Sequence, residues 1–227
     1  AGVPAGVFNV VNGFGSDSAG AFLTEHSGVD AITFTGETRT GEIITRAAAK
    51  GLRDVSMECG GKNPALVFAD CDMDKAVEGT LRSAFANCGQ VCLGTERVYV
   101  ERPIFDKFVE ALKQKVEKVR HGRPDDENCN FGPMISHEHQ AKVLSYYAKA
   151  VEEGATVVTG GGVPSMPEEL KEGAWVEPTI WTGLAEDATV MKEEIFGTCC
   201  HIALFDDEQQ VTNGANDTEY GLSTTVW

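Results

Sequence analysis

Short β-rich runs alternate with helical ones along this chain, and that alternation restricts the fold more than anything else in the sequence. VFNVVNG, ending at Asn12-Gly13, reads as a strand, and the stretch Ser18 to Thr24 reads as a helix. AITFTG, Ala31 to Gly36, is a second β-rich run. It leads through Glu37-Thr38-Arg39-Thr40-Gly41 into a helix over Glu42 to Lys50. VSMEC, Val55 to Cys59, is a third strand; GGKN breaks it and PALVFA is a fourth. Strands separated by short helices predict an α/β fold, with mostly parallel sheets flanked by helices.

The pattern continues downstream. Asp72 to Asn87 is helical and TERVYVE is a strand. Ile104, Phe105, Phe108, Val109, Leu112, Val116 and Val119 recur at helical spacing along Pro103 to Arg120, which marks a core-facing stripe. A helix over Glu138 to Glu153 precedes ATVVTGGG, and its Tyr146 and Tyr147 read as core or interface residues. After the acidic, proline-containing loop VPSMPEELKEG come VEPTIW, KEEIFG, CCHIALF and YGLSTTV. The chain opens in AGVPAGVFNVV and stops at Trp227 inside a strand-like run, so it reads as an internal fragment.

Charge and cysteine content exclude several function classes. A net charge of -16 and a sequence pI near 4.6 argue against a nucleic-acid partner, which requires basic patches. No run approaches the roughly 18 apolar residues of a membrane helix, so no membrane partner is expected. Seven cysteines, an odd number at irregular spacings, suit a reducing compartment, and the cytoplasm is the expected location. Cys199, Cys200 and His201 are consecutive, and His137 and His139 flank Glu138. Neighbours on a strand face opposite ways and no C-x-x-C pair is present, so no metal site is expected.

Three places carry candidate chemistry. FANCGQVCLG, Phe85 to Gly94, puts Cys92 in a loop between a helical run and a strand. A thiol there can meet a substrate carbonyl as a nucleophile; the plainer reading is an inert buried cysteine. Glu58 ends a strand just before Gly60-Gly61. Partial burial there would raise its pKa and fit it to act as a general base, whereas a salt-bridged surface glutamate is the plainer reading. The turn from Gly36 to Gly41 would offer backbone N–H groups to a diphosphate. Its spacing is not G-x-G-x-x-G, and the Glu37 carboxylate opposes an anion unless it points away.

FTGETRTG, MECGGKN, FANCGQVCLGTERVYV, EEIFG and NDTEYGL, in that order, resemble the aldehyde dehydrogenase superfamily nearly from end to end of the chain. More narrowly, VLSYYAKAVEEGATVVTGGGVP, GAWVEPTIWTGL and LGTERVYVERPIFDKF resemble the branch that oxidises 2-hydroxymuconic or 2-aminomuconic semialdehyde. The resemblance implies an NAD-dependent oxidation of a semialdehyde to its acid through a cysteine thioester. It assigns Cys92 as nucleophile and Glu58 as general base, Glu194 and Phe196 to the nicotinamide ribose and ring, and Gly36, with Glu37 beside it, to the cofactor's neighbourhood; Cys88 is a bystander. It implies that residues 1–62 are the later part of a Rossmann-like NAD-binding domain and residues 63–227 most of a catalytic domain.

The parent enzyme is expected to be a homo-oligomer, a dimer or tetramer. Its P-W-N asparagine and ribose-binding lysine are expected upstream of Ala1 and its oligomerisation arm beyond Trp227, so the isolated chain is expected to be inactive or poorly folded. Cys59, Thr198 and Glu37 depart from the usual leucine, proline and serine. A cofactor-independent thiol esterase or acyltransferase, or a non-catalytic structural relative, is the alternative.

Overall fold

Most of the β-rich runs find parallel neighbours. A computed structural model describes residues 2–227, which form two compact units, one running to Gly60 and the other Gly61–Trp227.

In the first unit, helix α1 (Ala19–Glu25) is followed by strand β1 (Ala31–Thr35), helix α2 (Thr38–Ala49) and strand β2 (Asp54–Glu58). β1 and β2 run parallel, with Ala31 opposite Asp54 and Thr35 opposite Glu58, and α2 is their crossover. Ile32, Ile44 and Ala48 form the core between them. Arg53 ties the helices together from beneath, donating to the carbonyls of Thr24 at 2.6 Å and Ala47 at 2.8 Å.

Two expectations fail in this unit. VFNVVNG is not a strand: among the described residues it has no ladder partner, and Val7, Phe8, Val10 and Val11 are exposed. A strand gains its backbone hydrogen bonds from a neighbour, so β-propensity alone does not make one. Helix α2 starts at Thr38 rather than Glu42, because Gly41 is a packing glycine and not a turn glycine. It is buried, and a Cβ there would lie 2.8 Å from the Cys59 sulfur.

The second unit is a six-stranded sheet. Its strands are β3 (Asn63–Val67), β4 (Thr95–Glu101), β5 (Thr156–Thr159), β6 (Thr179–Thr182), β7 (Cys199–Phe205) and β8 (Thr225–Val226). They lie in the order β5-β6-β7-β4-β3-β8; β5 is antiparallel to β6 and every other pair is parallel. The helices are α3 (Met73–Phe85), α4 (Phe105–Val116), α5 (His137–Glu152), the short α6 (Thr189–Lys192) and α7 (Glu208–Asn216). Asp72, Ser136 and Asp207 cap α3, α5 and α7, each accepting a backbone N–H three residues on. From Thr95 to Val100 every residue of β4 is buried, as expected of an inner parallel strand covered on both faces.

Phe108, Leu112 and Val116 of the α4 stripe are in the core, with Ile104, Phe105, Val109 and Val119 packed against it. Tyr147 is buried, its hydroxyl 2.8 Å from the Thr198 carbonyl and 2.9 Å from that of Glu177. No helix among the described residues is long and apolar enough to cross a membrane.

Candidate active site

The Cys92 loop begins where α3 cannot continue. Residues 86–89 make one tight turn in which Asn87, Cys88 and Gly89 all take positive φ, at 50°, 58° and 71°. Two of these are not glycine, so surrounding structure has to hold the turn. Asn87 Nδ2 donates to the Gln90 carbonyl at 3.0 Å, and the Gln90 N–H donates to the Asn87 carbonyl at 3.1 Å. Gln90 Oε1 accepts the Ile135 N–H at 2.9 Å. Downstream, the Asn63 amide donates to the carbonyls of both Cys92, at 2.7 Å, and Gly94, at 2.8 Å. The main chain on either side of the half-buried Cys92 is therefore fixed. Cys88 is buried, its thiol donates to the Gly132 carbonyl at 3.2 Å, and burial pushes its pKa up.

EEIFG, Glu193 to Gly197, joins α6 to β7. Glu194 Oε1 accepts the Gly61 N–H at 2.8 Å, and burial raises its pKa, with that hydrogen bond opposing. Phe196 has φ 57°, a conformation that costs a non-glycine residue roughly 1–3 kcal/mol. Its neighbours hold it there: its N–H donates to Glu96 Oε1 at 2.8 Å, its carbonyl lies 2.7 Å from His139 Nε2, and its ring meets the His139 ring edge-on at 6.0 Å. The Ile195 N–H also reaches Glu96, at 3.1 Å, and Lys62 pairs with that carboxylate.

Two glycines make the loops adjoin. A Cβ on Gly89 would collide with the carbonyl of Gly197, so the turn lies flush against the end of EEIFG. Gly61 donates to Glu194, and a Cβ on it would lie 2.9 Å from the Cys92 carbonyl oxygen. Cys92, Glu194 and Phe196 are thus brought together within the second unit.

Gly36, Glu37 and Glu58 gather in the first unit, at the carboxyl ends of β1 and β2, where open parallel sheets present ligands. The Gly36 N–H donates to the Glu58 carbonyl at 3.0 Å, and Glu37 occupies the N-cap position of α2 without making a side-chain cap bond. All three are exposed, so the partial burial expected for Glu58 is not found; among the described residues of that unit, β1 and α2 pack beside its short strand.

Sequence reasoning missed Lys62, Asn63, Glu96 and Arg97, all buried and all holding this site together. A signal was present. Charged residues inside an otherwise buried strand such as TERVYV have to be paired or bonded. Arg97 donates to the carbonyls of Lys62, Gly214 and Ala215, each at 2.8 Å. Thr198 is fully buried in the core, and its carbonyl also accepts the Thr179 N–H at 2.9 Å. Cys199, Cys200 and His201 are buried along β7; burial pushes the Cys200 thiol up to about 12 and the His201 imidazole down to about 4.

The family model for the aldehyde dehydrogenase family matches residues 1–227. The chain belongs to the aldehyde dehydrogenase family. It is 69% identical over 227 residues to a 2-hydroxymuconic semialdehyde dehydrogenase of Pseudomonas putida, covering all of this chain and 47% of the relative. It is 54% identical over 226 residues to a 2-aminomuconic 6-semialdehyde dehydrogenase of a Pseudomonas species, covering all of this chain and 46% of the relative. The chain therefore spans about half the length of the curated relatives it matches.

Among solved structures, it superposes on a betaine aldehyde dehydrogenase double mutant of Staphylococcus aureus in complex with NAD+, with TM-score 0.94 and 38% identity, covering 100% of this chain and 45% of the other. The HpcC structure from Thermus thermophilus gives TM-score 0.94 and 39% identity, with 99% and 44% covered. Both units carry motifs on which the family resemblance rests: FTGETRTG in the first, FANCGQVCLGTERVYV, EEIFG and NDTEYGL in the second.

Proposed function

We propose that the protein carrying this chain is an NAD-dependent aldehyde dehydrogenase that oxidises a semialdehyde acid of the muconic type, with Cys92 as nucleophile and Glu58 as general base. One observation carries this reading: Gly61 lies against the Cys92 carbonyl while its N–H holds the Glu194 carboxylate, so a thiol and a cofactor-binding carboxylate share one rigid support. The residues present suit a nicotinamide cofactor. Glu194 has one oxygen fixed and the other free of hydrogen bonds among the described residues, which suits a ribose hydroxyl. Phe196 is locked beside it, and Gly36 and Glu37 sit at the strand ends where a dinucleotide is bound in such folds.

The Cys92 thiolate adds to the aldehyde carbon, and the tetrahedral oxyanion accepts hydrogen bonds from fixed donors, the Cys92 N–H among them. NAD, when bound, supplies the hydride acceptor that leaves a thioester on Cys92. Glu58 takes a proton from water, which cleaves the thioester to the acid. Residues 1–62 are read as the later part of the cofactor domain and residues 63–227 as most of the catalytic domain. The seven free cysteines accord with a cytoplasmic enzyme, which we take to be a homo-oligomer.

The test uses the intact protein with 2-hydroxymuconic semialdehyde and NAD+. Cys92→Ser should abolish the NADH burst. Glu58→Gln should keep a burst and lose about 100-fold or more in steady turnover. A full burst from Cys92→Ser removes the nucleophile assignment, and NAD-indifferent ester cleavage without NADH replaces the reading with a thiol esterase.

A further inference from the structure

We propose that Lys62 and Glu96 are positioning residues for the cofactor-facing loop: their buried ion pair grips the backbone N–H groups of Ile195 and Phe196 and thereby sets the Glu194 carboxylate and the Phe196 ring on either side. The inference rests on the function proposed above and extends it to two residues that neither the motif roles nor the surface chemistry requires.

Burial comes first. Lys62 is 1% exposed and Glu96 8%. Charges in such a place are weak stabilisers, because desolvation consumes most of their attraction, so packing alone would be served as well by apolar residues of similar volume. What the carboxylate does that an apolar residue cannot is accept. Three donors converge on it: the Lys62 ammonium, the Ile195 N–H at 3.1 Å and the Phe196 N–H at 2.8 Å. Two successive backbone N–H groups turned onto one anion, with a left-handed residue at the second position, are the geometry of a backbone anion nest. Here the anion is the protein's own side chain, and what it holds is the peptide between Glu194 and Phe196.

The anchor is braced from behind. Arg97, next to Glu96 on β4, donates through Nε to the Lys62 carbonyl at 2.8 Å, and its other nitrogens hold the last turn of α7 through Gly214 and Ala215. Lys62 is thus held at its carbonyl by one β4 side chain and at its ammonium by the next. One residue upstream of Lys62, the Gly61 N–H fixes Glu194 directly. GGKN, TERV and EEIFG therefore form one connected hydrogen-bonded support, in which Glu96 is the acceptor for the strained residue.

The experiment compares the intact protein with two variants. Glu96→Gln keeps the shape but puts an amide NH2 against donors and leaves Lys62 unpaired. The double variant Lys62→Met with Glu96→Leu removes both charges and preserves the packed volume, so it tests the anchor in a folded protein even where the single variant unfolds. The readouts are amide hydrogen exchange at Ile195 and Phe196, NAD+ affinity by fluorescence titration, and the melting transition.

In the double variant we expect a cooperative melt, exchange at those two amides faster by about tenfold or more, and NAD+ affinity lower by about 10-fold to 100-fold. Unchanged exchange at Ile195 and Phe196 in the folded double variant overturns the anchor. Faster exchange with unchanged affinity overturns its role in positioning. Absence of NAD+ binding by the unsubstituted protein overturns the functional reading and with it the positioning role, while the exchange measurement still decides whether the anchor exists.

Discussion

Gly89 shows how little freedom a single position in this site has. Its φ of 71° lies where a side chain is strained, and a Cβ would meet the Gly197 carbonyl and the Thr198 nitrogen. Both obstacles are backbone, so neither yields by a rotamer change. Gly89→Ala should therefore destabilise the second unit by about 2 kcal/mol or more, read as a lower urea midpoint. It should also lift the Cys92 turn off EEIFG. A midpoint within error of the unsubstituted protein would mean that the two loops do not adjoin as described.

At the level of elements, legibility followed the range of the interactions. β4 and β7 coincide with TERVYVE and CCHIALF because a run of buried apolar residues is a local signal. A helix is expected over Asp72 to Asn87, but α3 ends at Phe85, since the left-handed conformation of Asn87 to Gly89 is imposed by hydrogen bonds between Asn87 and Gln90 and by contact with Gly197. The pair Lys62 and Glu96 joins residues 34 apart, which no local period reveals. VFNVVNG carried a strand's composition without a neighbour to pair with among the described residues.

β7 also carries a pH response that composition does not display. His201 is buried, its Nε2 accepts the Leu184 N–H at 3.1 Å, and burial depresses its pKa from 6.5 to about 4. Between those values the unfolded chain takes up a proton that the folded chain refuses, so stability falls as pH drops from about 6.5 to about 4. Above 6.5 this residue contributes no pH dependence. Urea midpoints across this window should show a loss of roughly 3 kcal/mol that His201→Gln lacks, at 1.36 kcal/mol per pH unit. Equal slopes for the two proteins would place the titration elsewhere.

Over the whole molecule, the two units differ in how much core they own. Among the described residues, the first has one parallel pair of strands over Ile32, Ile44 and Ala48; the second has six strands and the large cluster that includes Val98, Phe108, Val143, Ile180 and Ile202. A two-stranded sheet is marginal in water, whereas inner strands of a larger sheet open only with global unfolding. Hydrogen exchange followed by mass spectrometry should find β3, β4, β6 and β7 protected by about 100-fold or more over β1 and β2. Uniform protection would show that the first unit draws its stability from more than its own core.

The Asn63 amide, which clamps the carbonyls on both sides of Leu93, bears on how the protein ages. Asparagine side chains are lost chiefly by deamidation, which begins when the following residue's amide nitrogen attacks the side-chain carbonyl. The following residue here is Pro64, whose ring nitrogen carries no hydrogen and cannot close the imide. Conversion to aspartate would replace two donors with a carboxylate facing two carbonyl oxygens, beside the thiol on which the proposed chemistry depends. The order Asn-Pro thus gives the clamp on the Cys92 loop a chemical lifetime that Asn-Gly at the same place would not have.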